Sequence, residues 1–391
     1  MQTEISRALV NELQERFRER QARIVSLMRT LVETESPSGD FFGSRAVVDL
    51  LVGAAETARC VASIDRFDVP NFGQHLIIRA FQDYAPAGNI LLVGHTDTVH
   101  PRGSLAERPW RLEDNRIYGP GIFDMKGNCA LAVALLHALD DFDIQPRCGV
   151  ILALMCDEEV GSVSGWPLLK EIAIKEKVQT ALILEPPAAG GRVKTGRKGT
   201  GIYQMRIEGR AAHAGLEPEK GASAILELAK QIVRLHALND AGSGIHVNVG
   251  VVHGGTRSNV VAAEAAAEID VRFATAAQAK VVAESLLNTS PYDERVRVKM
   301  TGGINRPPLE RTEQVVKLYE HARSIAQMLE FDLGEAQVGG ASDGNFLAAL
   351  GVPVLDGLGI DGDGAHATHE NIMVDDIPRR GALLAGLILS L

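Results

Sequence analysis

The chain has 391 residues, of which 46% are hydrophobic and 23% are charged, values typical of a folded globular protein rather than a disordered one. Its formal net charge of -10 and pI near 5.6, with no basic stripe between aromatic residues, argue against a nucleic-acid partner. The length predicts two or more domains with ample core.

The N-terminal stretch, residues 1–33, has charged residues at helical spacing and lacks the continuous apolar core of a signal peptide. We therefore expect a cytoplasmic protein with no membrane partner. The four cysteines form no Cys-x-x-Cys pair, so reduced and mostly buried thiols are predicted.

Beyond a loop at 36–40, a second helix is predicted from Phe42 to about Thr57, and strand-like apolar runs then alternate with helices. This alternation is typical of an α/β protein with a doubly wound, mostly parallel sheet. Ligands of such sheets bind beyond the carboxyl ends of the strands, so polar groups that follow the strands should converge. The runs that end in polar groups are Ile90–Val93 before His95, Gly149–Met155 before Asp157, Ala181–Leu184 before Glu185, and Pro353–Ile360 before His366.

His95 and Asp97, which follow the first run, have the spacing of a metal ligand and a residue that supports it. Asp97 lies on the same side of an extended segment as His95, so it can hold one ring nitrogen while the other binds a cation. A histidine merely satisfied at a strand end is the alternative. Asp124, in a glycine-punctuated loop before a predicted helix, could likewise be an ordinary N-terminal helix acid.

Electrostatics favours a metal site at the convergence point. The acids there would repel one another and take up protons unless a divalent cation neutralised them. Histidine nitrogen with carboxylate oxygen suits zinc, with manganese or cobalt as alternatives, and one carboxylate can bridge two ions. Adjacent Glu158 and Glu159 point in different directions, so one can bind metal while the other acts as a base.

Seven motifs together carry a resemblance to a known family. They are HTDTV at 95–99, GPGIFDMKG at 119–127, DEEVGS at 157–162, EPP at 185–187, AAHAG at 211–215, GGTRSNVV at 254–261 and GAHATHENI at 364–372. In this order, over nearly the whole chain, they resemble the co-catalytic di-zinc peptidases that include aminoacylase, acetylornithine deacetylase and succinyl-diaminopimelate desuccinylase. The chain is most similar to the bacterial glutamate carboxypeptidase branch.

The resemblance implies a metal-ligand set for two Zn²⁺ per chain. Asp124 would bridge the two ions. His95 and Glu185 would complete one ion, and Glu159 and His366 the other.

Two further expectations come from the same resemblance. The family spacing of histidine, three residues and then glutamate selects His366, with Glu370, over the nearby His369. A cis peptide is expected between Asp124 and Met125.

Catalytic roles also follow from the resemblance. Glu158 would be the general base, and Asp97 would orient His95. His213 would stabilise the oxyanion on the attacked carbonyl, in its own or the partner subunit's active site. A solvated loop histidine is the alternative for His213.

From about Lys198 the pattern changes to strand, helix, strand, strand, which predicts a compact α+β insertion, and NRPPLE at 305–310 marks the return. The resemblance implies a catalytic domain split into 1–197 and 307–391. The inserted domain, 198–306, would be a lid through which a homodimer forms.

Substrate contacts are also assigned by resemblance. Arg272 and Asn259 match positions that hold the substrate α-carboxylate, although Arg272 could equally pair with a strand acid such as Asp270. Gly340 lies in a glycine-rich loop whose backbone would approach the substrate. Glutamate specificity stays open because the chain departs from the branch pattern around 190–198; further candidates to recognise an acidic side chain are Arg257, Arg192 and Lys198.

The predicted function is zinc-dependent hydrolysis of the amide bond of an N-acyl amino acid or a C-terminal residue, with glutamate or another acidic residue favoured. Two alternatives remain. Gly340–Gly344 fits the Gly-x-Ser-x-Gly pattern, so Ser342 with His366 could form a serine hydrolase, although the elbow needs a buried strand directly before its serine. The other is a non-catalytic amino-acid or peptide binder on the same fold, against which the presence of Glu158 argues.

Overall fold

The computed structural model describes residues 5–82, 87–142, 144–239, 242 and 244–391. The first four residues of the predicted N-terminal helical stretch lie outside this described part. The helix itself begins at Arg7, where the hydroxyl of Ser6 accepts a hydrogen bond from the backbone N–H of Leu9 and so caps the helix.

The described helices are α1 (Arg7–Glu33), α2 (Phe41–Ala55), α3 (Ser104–Glu107), α4 (Gly127–Asp141), α5 (Gly165–Lys175), α6 (Ala224–His236), α7 (Ala276–Leu287), α8 (Glu313–Met328), α9 (Asp343–Ala349) and α10 (Asp376–Ser390). The described strands are β1 (Val61–Val69), β2 (Gly73–Ala80), β3 (Asn89–His95), β4 (Arg111–Glu113), β5 (Arg116–Tyr118), β6 (Gly149–Met155), β7 (Val178–Ile183), β8 (Val193–Arg197), β9 (Gly199–Glu208), β10 (His246–Gly254), β11 (Glu264–Phe273), β12 (Arg297–Arg306), β13 (Glu335–Val338), β14 (Val354–Leu355), β15 (Gly362–Asp363) and β16 (Asn371–Met373).

The chain forms two compact units. The first comprises residues 1–195, 311–338 and 342–391, and the second comprises 196–310 and 339–341. Each unit has its own cluster of buried apolar side chains.

A six-stranded sheet in the order β1-β2-β6-β3-β7-β14 is the centre of the first unit. Strands β6, β3, β7 and β14 run parallel, whereas β1 and β2 are antiparallel additions at one edge. The predicted α/β class with a mostly parallel sheet is therefore confirmed. The last predicted run is much shorter than expected, since only Val354 and Leu355 of Pro353–Ile360 are strand.

The central residues of the parallel strands are mostly apolar because both faces of the sheet are covered by helices. Every residue of β3 and β6 is buried. On one face, Leu92 and Leu152 belong to the same apolar cluster as α1, α4 and α10. On the other face, α9 lies against Ile183, and Trp166 of α5 stacks on Phe346 of α9 with ring centroids 4.6 Å apart.

One segment of the first unit, Ile122–Asp141, is long and apolar enough to cross a membrane by length and composition alone. It is 89% buried within the protein, and α4, its main part, contacts α1, α2 and α10. Its apolar composition is therefore accounted for by packing in the core.

The second unit contains a four-stranded antiparallel sheet in the order β10-β11-β9-β12, with α6 and α7 packed against it. The predicted strand, helix, strand, strand correspond to β9, α6, β10 and β11. Sequence reasoning missed α7 and β12. The amide of Gln278 and the hydroxyl of Thr275 form a capping box at the start of α7, a signal that could have located it.

Candidate metal centre

Three strands of the central sheet end level with one another. In the parallel pairing of β3 with β6, His95 lies opposite Met155, and in the pairing of β3 with β7, Val93 lies opposite Ile183. The residues that follow these strands therefore leave the sheet at the same edge. The predicted convergence of polar groups beyond the carboxyl ends is observed.

Two groups of three side chains meet there and share Asp124. In the first group, Nε2 of His95 lies 3.0 Å from Oδ1 of Asp124 and 3.6 Å from Oε1 of Glu185. In the second, Nε2 of His366 lies 3.3 Å from Oδ2 of Asp124 and 3.2 Å from Oε2 of Glu159. Within each group the donor atoms all lie within 4.8 Å of one another. The two oxygens of Asp124 thus face different histidines, as expected of a bridging carboxylate.

Asp124 lies in an irregular turn, Ile122–Lys126, that leads into α4. Gly121 enters the turn with a φ of 74°, a conformation that glycine adopts readily. The expected cis peptide between Asp124 and Met125 is confirmed.

His366 belongs to the turn between β15 and β16, where its backbone has a left-handed φ of 63°. His369 is exposed and its Nε2 lies 3.8 Å from Oδ2 of Asp363, outside both groups. Of the two histidines in this segment, the structure therefore brings His366 to Asp124, as the spacing predicted.

Asp97 contacts His95 through both its main chain and its side chain. Nδ1 of His95 lies 2.9 Å from the backbone carbonyl oxygen of Asp97 and 3.4 Å from its carboxylate. The carboxylate also accepts the N–H groups of Glu158 and Glu159, each at 3.2 Å, and the hydroxyl of Ser38 at 2.6 Å. Asp97 therefore contacts the histidine with its main chain and its carboxylate, and the carboxylate also holds the turn that carries both glutamates.

The two histidines attract protons strongly. Burial alone would lower the pKa of His95, but hydrogen bonds to Asp124 and Asp97 raise it well above its usual value. Hydrogen bonds to Asp124 and Glu159 raise the pKa of His366 to about 10. Burial would raise the pKa of Asp124, yet hydrogen bonds from both histidines hold it well below its usual range.

These residues fit a pair of divalent cations. Burial raises the pKa of Glu159, and its Oε1 is a buried oxygen with no hydrogen-bond partner in the structure. A buried, unpaired carboxylate oxygen is costly unless a cation or a donor reaches it. The donor set consists of histidine nitrogens and carboxylate oxygens arranged around one shared carboxylate, and this set suits zinc, manganese or cobalt.

Glu158 belongs to neither group of three. It is half-buried, begins the short helical turn Glu158–Val160 after β6, and donates its backbone N–H to Asp97. Its neighbour Glu159 contributes to the second group, so the two adjacent glutamates occupy different environments, as predicted.

Two of the other predicted residues lie next to each other in the second unit. Nδ1 of His213 accepts the N–H groups of Gly215 and Leu216, each at 3.2 Å, so the hydrogen of the neutral ring is on Nε2. The carbonyl of Asn259 accepts the N–H of Ala214 at 3.0 Å. Both His213 and Asn259 are exposed.

Arg272 already binds a carboxylate. Its Nε and Nη2 lie 2.8 and 3.0 Å from the two oxygens of Asp270, a bidentate pair within β11. This is the structural role left open as an alternative. Gly340 is exposed, and its carbonyl accepts from Nη1 of Arg197 at 3.3 Å.

The remaining cation candidates divide between the units. Nε of Arg192, in the first unit, donates to the carbonyl of Ala189 at 2.9 Å. Arg257, in the second unit, is exposed, and Lys198, also in the second unit, is half-buried.

Ser342 has a structural environment. It is fully buried and caps α9, where its hydroxyl accepts the N–H of Gly344 and donates to Asp356 at 2.6 Å. A nucleophilic serine donates its hydroxyl hydrogen to a general base such as histidine, whereas here a buried carboxylate takes it. The environment of Ser342 opposes the serine hydrolase alternative.

Sequence reasoning assigned no supporting contact to Lys126, or to Glu370, which it named only for its spacing from His366. Glu370 accepts backbone N–H groups from the turn that carries Asp124, and it also contacts His100 at 2.6 Å. The ammonium of Lys126, almost fully buried, donates to the carbonyl of Thr34 at 2.6 Å. The available signals in the sequence were Lys126, a lysine inside an otherwise apolar stretch, and His100, a second histidine at the end of HTDTVH.

Comparisons with known proteins show the family of the chain. Residues 91–390 match the model of peptidase family M20/M25/M40. The chain is 29% identical over 378 residues to carboxypeptidase G2 of Pseudomonas sp. (strain RS-16), covering 95% of this chain and 90% of that protein. It is 26% identical over 335 residues to succinyl-diaminopimelate desuccinylase of Acidovorax ebreus, covering 80% of this chain and 83% of that protein.

A solved structure shows the same fold. The aminopeptidase PepT of Bacillus cereus matches with a TM-score of 0.79 at 22% identity, covering 94% of this chain and 98% of the other. The predicted family is confirmed: the chain belongs to peptidase family M20/M25/M40, and it is a hydrolase that acts on amide bonds.

Proposed function

We propose that the protein binds two divalent metal ions, in the first instance Zn²⁺, and hydrolyses the amide bond of an N-acyl amino acid or of a C-terminal residue. His95, Asp124 and Glu185 would hold one ion, and Asp124, Glu159 and His366 the other. The observation that carries this proposal is the position of Asp124, whose two carboxylate oxygens each face a different histidine of an acidic cluster.

Two ions bound there would supply positive charge that polarises the substrate carbonyl and acidifies a water molecule. Glu158 would act as the general base that takes a proton from the attacking water, and it would then give that proton to the leaving amine. The support for this role is that Glu158 is held in place by Asp97 yet lies outside both groups of ligands.

His213 is proposed to stabilise the oxyanion that forms on the attacked carbonyl. Its accepting Nδ1 fixes the ring tautomer, so Nε2 carries the donor hydrogen that this role needs. We propose that the inserted domain, 198–306, is the lid of a catalytic domain formed by 1–197 and 307–391. Mixing His213→Ala protein with Glu158→Gln protein distinguishes a His213 that serves its own site from one that serves the partner subunit's site.

For the substrate we propose an amino acid with a free α-carboxylate as the leaving group. Arg272 supports this because its guanidinium already adopts a bidentate geometry with the carboxylate of Asp270, which a substrate carboxylate would share or displace. Asn259 and the backbone at Gly340 would complete the contacts. The carboxypeptidase relative favours this class, and glutamate is the first side chain to test.

A homodimer is proposed to form through the second unit. Its helix α6 buries Leu228 and Leu235 but exposes Ile225, Leu226 and Val233, the last at 73%. Strand β10, at the edge of the sheet, also exposes Val251 and Val252. Exposed apolar residues on a helix and an adjoining sheet edge are a typical association surface.

A charge on this surface tests the dimer. Val252→Glu should shift the protein toward monomer in analytical ultracentrifugation, because a buried, unpaired carboxylate is costly at an interface. Val281→Glu is a matched control, since Val281 of α7 is exposed at 63% outside this surface. A wild-type protein that is already monomeric at micromolar concentration would contradict the dimer.

We propose a cytoplasmic location on the basis of the thiols. All four cysteines are unpaired, and three of them are buried. Burial raises the pKa of Cys129 to about 12, so this thiol is unreactive at neutral pH. Unpaired thiols of this kind are typical of a reducing compartment.

The proposed function is tested by metal analysis together with activity. About two Zn²⁺ per chain are expected, with cleavage of N-acyl glutamate, aspartate, ornithine or leucine that a chelator abolishes and added Zn²⁺ restores. Glu158→Gln is the matched control, because it should bind the same metal without turnover. Absence of metal, with no activity regained on adding it, would contradict the proposal.

A further inference from the structure

The carboxylate of Glu370 is 3% exposed and is surrounded by hydrogen-bond donors. Its Oε1 accepts the backbone N–H groups of Phe123 and Asp124, each at 2.9 Å. Its Oε2 accepts the N–H of Gly121 at 2.8 Å and lies 2.6 Å from Nε2 of His100. Three of these four donors belong to the turn that carries Asp124.

The fourth group that contacts Glu370, the ring of His100, is also a hydrogen-bond donor. Nη1 and Nη2 of Arg108 lie 3.3 and 3.4 Å from Nδ1 of His100, and a guanidinium can only donate. Nδ1 therefore accepts, and the ring hydrogen lies on Nε2, where it is donated to Glu370. All four groups around Glu370 are donors, so only a carboxylate satisfies them all.

Glu370 connects two segments that are far apart in sequence. It follows His366 by four residues, at the end of the turn that begins after β15, and it binds the backbone of the Asp124 turn. A charged acceptor makes each of these bonds stronger than an ordinary one. The spacing between Asp124 and His366 is thus tied to one buried side chain.

We infer that Glu370 is a positioning residue that fixes Asp124 relative to His366, and that His100 completes the set of hydrogen bonds that keeps it in place. This inference rests on the proposed two-metal function. Glu370 would not contact the substrate or the ions; it would act through the two ligands of the second group.

The two groups of ligands should respond differently to the loss of Glu370. His95 and Glu185 follow neighbouring parallel strands and have anchors of their own, since His95 is held by the carbonyl of Asp97. The second group contains both of the segments that Glu370 connects. Its loss should therefore weaken the ion at Asp124, Glu159 and His366 much more than the other ion.

The test is Glu370→Gln, because glutamine keeps the shape but turns an NH₂ group toward at least one of the four donors. Chelator-stripped protein is titrated with Zn²⁺ in competition with a chromophoric chelator, and with Co²⁺ followed by its visible absorption. We expect one of the two Zn²⁺ to bind roughly 10- to 100-fold more weakly, with the other nearly unchanged.

Three other variants provide controls. His369→Gln changes an exposed histidine of the same turn whose Nε2 lies 3.8 Å from Asp363, and it should bind both ions like wild type. His100→Gln keeps an N–H donor near the position of Nε2 and should also resemble wild type. His100→Leu removes that donor and should weaken the same ion to a smaller extent than Glu370→Gln.

The outcomes separate this inference from the proposed function. Wild type that binds no Zn²⁺ would overturn the proposed function. Wild type that binds two ions, with Glu370→Gln binding both equally well or losing both equally, would overturn the role of Glu370. If Glu370→Gln does not fold, His100→Leu decides: selective weakening of one ion supports the inference, and unchanged affinities refute it.

Discussion

Replacing Arg380 by methionine should destabilise the first unit because it breaks a buried ion pair. The side chain of Arg380 is 2% exposed and that of Asp376 is fully buried, with Nε of Arg380 3.0 Å from Oδ2 of Asp376. Arg380 also donates to the carbonyl of Gly191, and Asp376 accepts the N–H of Asp361 at 2.7 Å. The pair thus connects the loop after Glu185 to the segment that precedes His366.

The expected cost is about 3 kcal/mol, the lower end of the range for removing one partner of a buried pair. Two features of the structure place the expected cost at the lower end of this range. Asp376 keeps a second partner, since Nε of Arg379 lies 2.6 Å from its Oδ1. In addition, Nη1 of Arg380 is buried without a hydrogen-bond partner, and methionine relieves this unfavourable burial.

Equilibrium unfolding in urea, monitored by tryptophan fluorescence, measures the change in the free energy of unfolding of the first unit. The chain has two tryptophans, Trp110 and Trp166, and both lie in the first unit. Arg379→Met is the matched control: its side chain is 35% exposed, so removing it should cost about 1 kcal/mol or less. Equal losses for Arg379→Met and Arg380→Met would refute the argument from burial.

The same pair predicts a pH dependence. Burial alone would raise the pKa of Asp376, but Arg380 and Arg379 hold it below its usual value. A depressed carboxyl pKa contributes stability above the unfolded pKa of about 3.9 and loses that contribution as the pH falls through the folded pKa. The stability difference between wild type and Arg380→Met should therefore narrow below about pH 4. A difference that stays constant there would contradict this account.

The remaining predictions concern activity. Glu158→Gln should keep both metals yet lose about 10²- to 10⁴-fold in kcat as expected for a general base, and normal turnover would exclude that role. Ser342→Ala should lower the free energy of unfolding by about 1–3 kcal/mol, because a helix cap and a buried hydrogen-bond donor are removed. The folded variant should stay active. A folded, metal-loaded but inactive variant would favour a serine mechanism. Mixing His213→Ala with Glu158→Gln should restore activity if subunits share sites, and no recovery despite subunit exchange would place His213 in its own subunit's site.

The sheet could be predicted from local sequence pattern, and the family motifs selected the residues that the structure brings together as candidate ligands. A buried parallel strand is a short apolar run, and β3 and β6 match their predicted runs closely. His95, Glu159 and Glu185 lie within four residues of the ends of such runs, so strand order was not needed to expect them at one edge. The family motifs then separated His366 from His369.

The supporting contacts could not be predicted, because they join segments distant in sequence. His100 and Glu370 are 270 residues apart, and no periodicity relates them. The contact of His95 with the backbone carbonyl of Asp97, in addition to its carboxylate, depends on the exact path of the chain after β3. Strand β12 was missed for a different reason, since its paired glycines, Gly302 and Gly303, weaken the strand signal.

The structure also separates acids that would bind metal from acids that support them, although both kinds follow strands or turns in the sequence. Asp97 and Glu370 each accept backbone N–H groups from a segment that carries a ligand, so their negative charge is already satisfied within the protein. Asp124 instead directs each oxygen to a histidine, and Glu159 has a buried oxygen without a partner. A carboxylate satisfied by main-chain donors has little to gain from a cation, whereas one that lacks them is stabilised by it. We therefore expect the distribution of backbone donors, rather than the positions of the acids in sequence, to determine which carboxylates are available to metal.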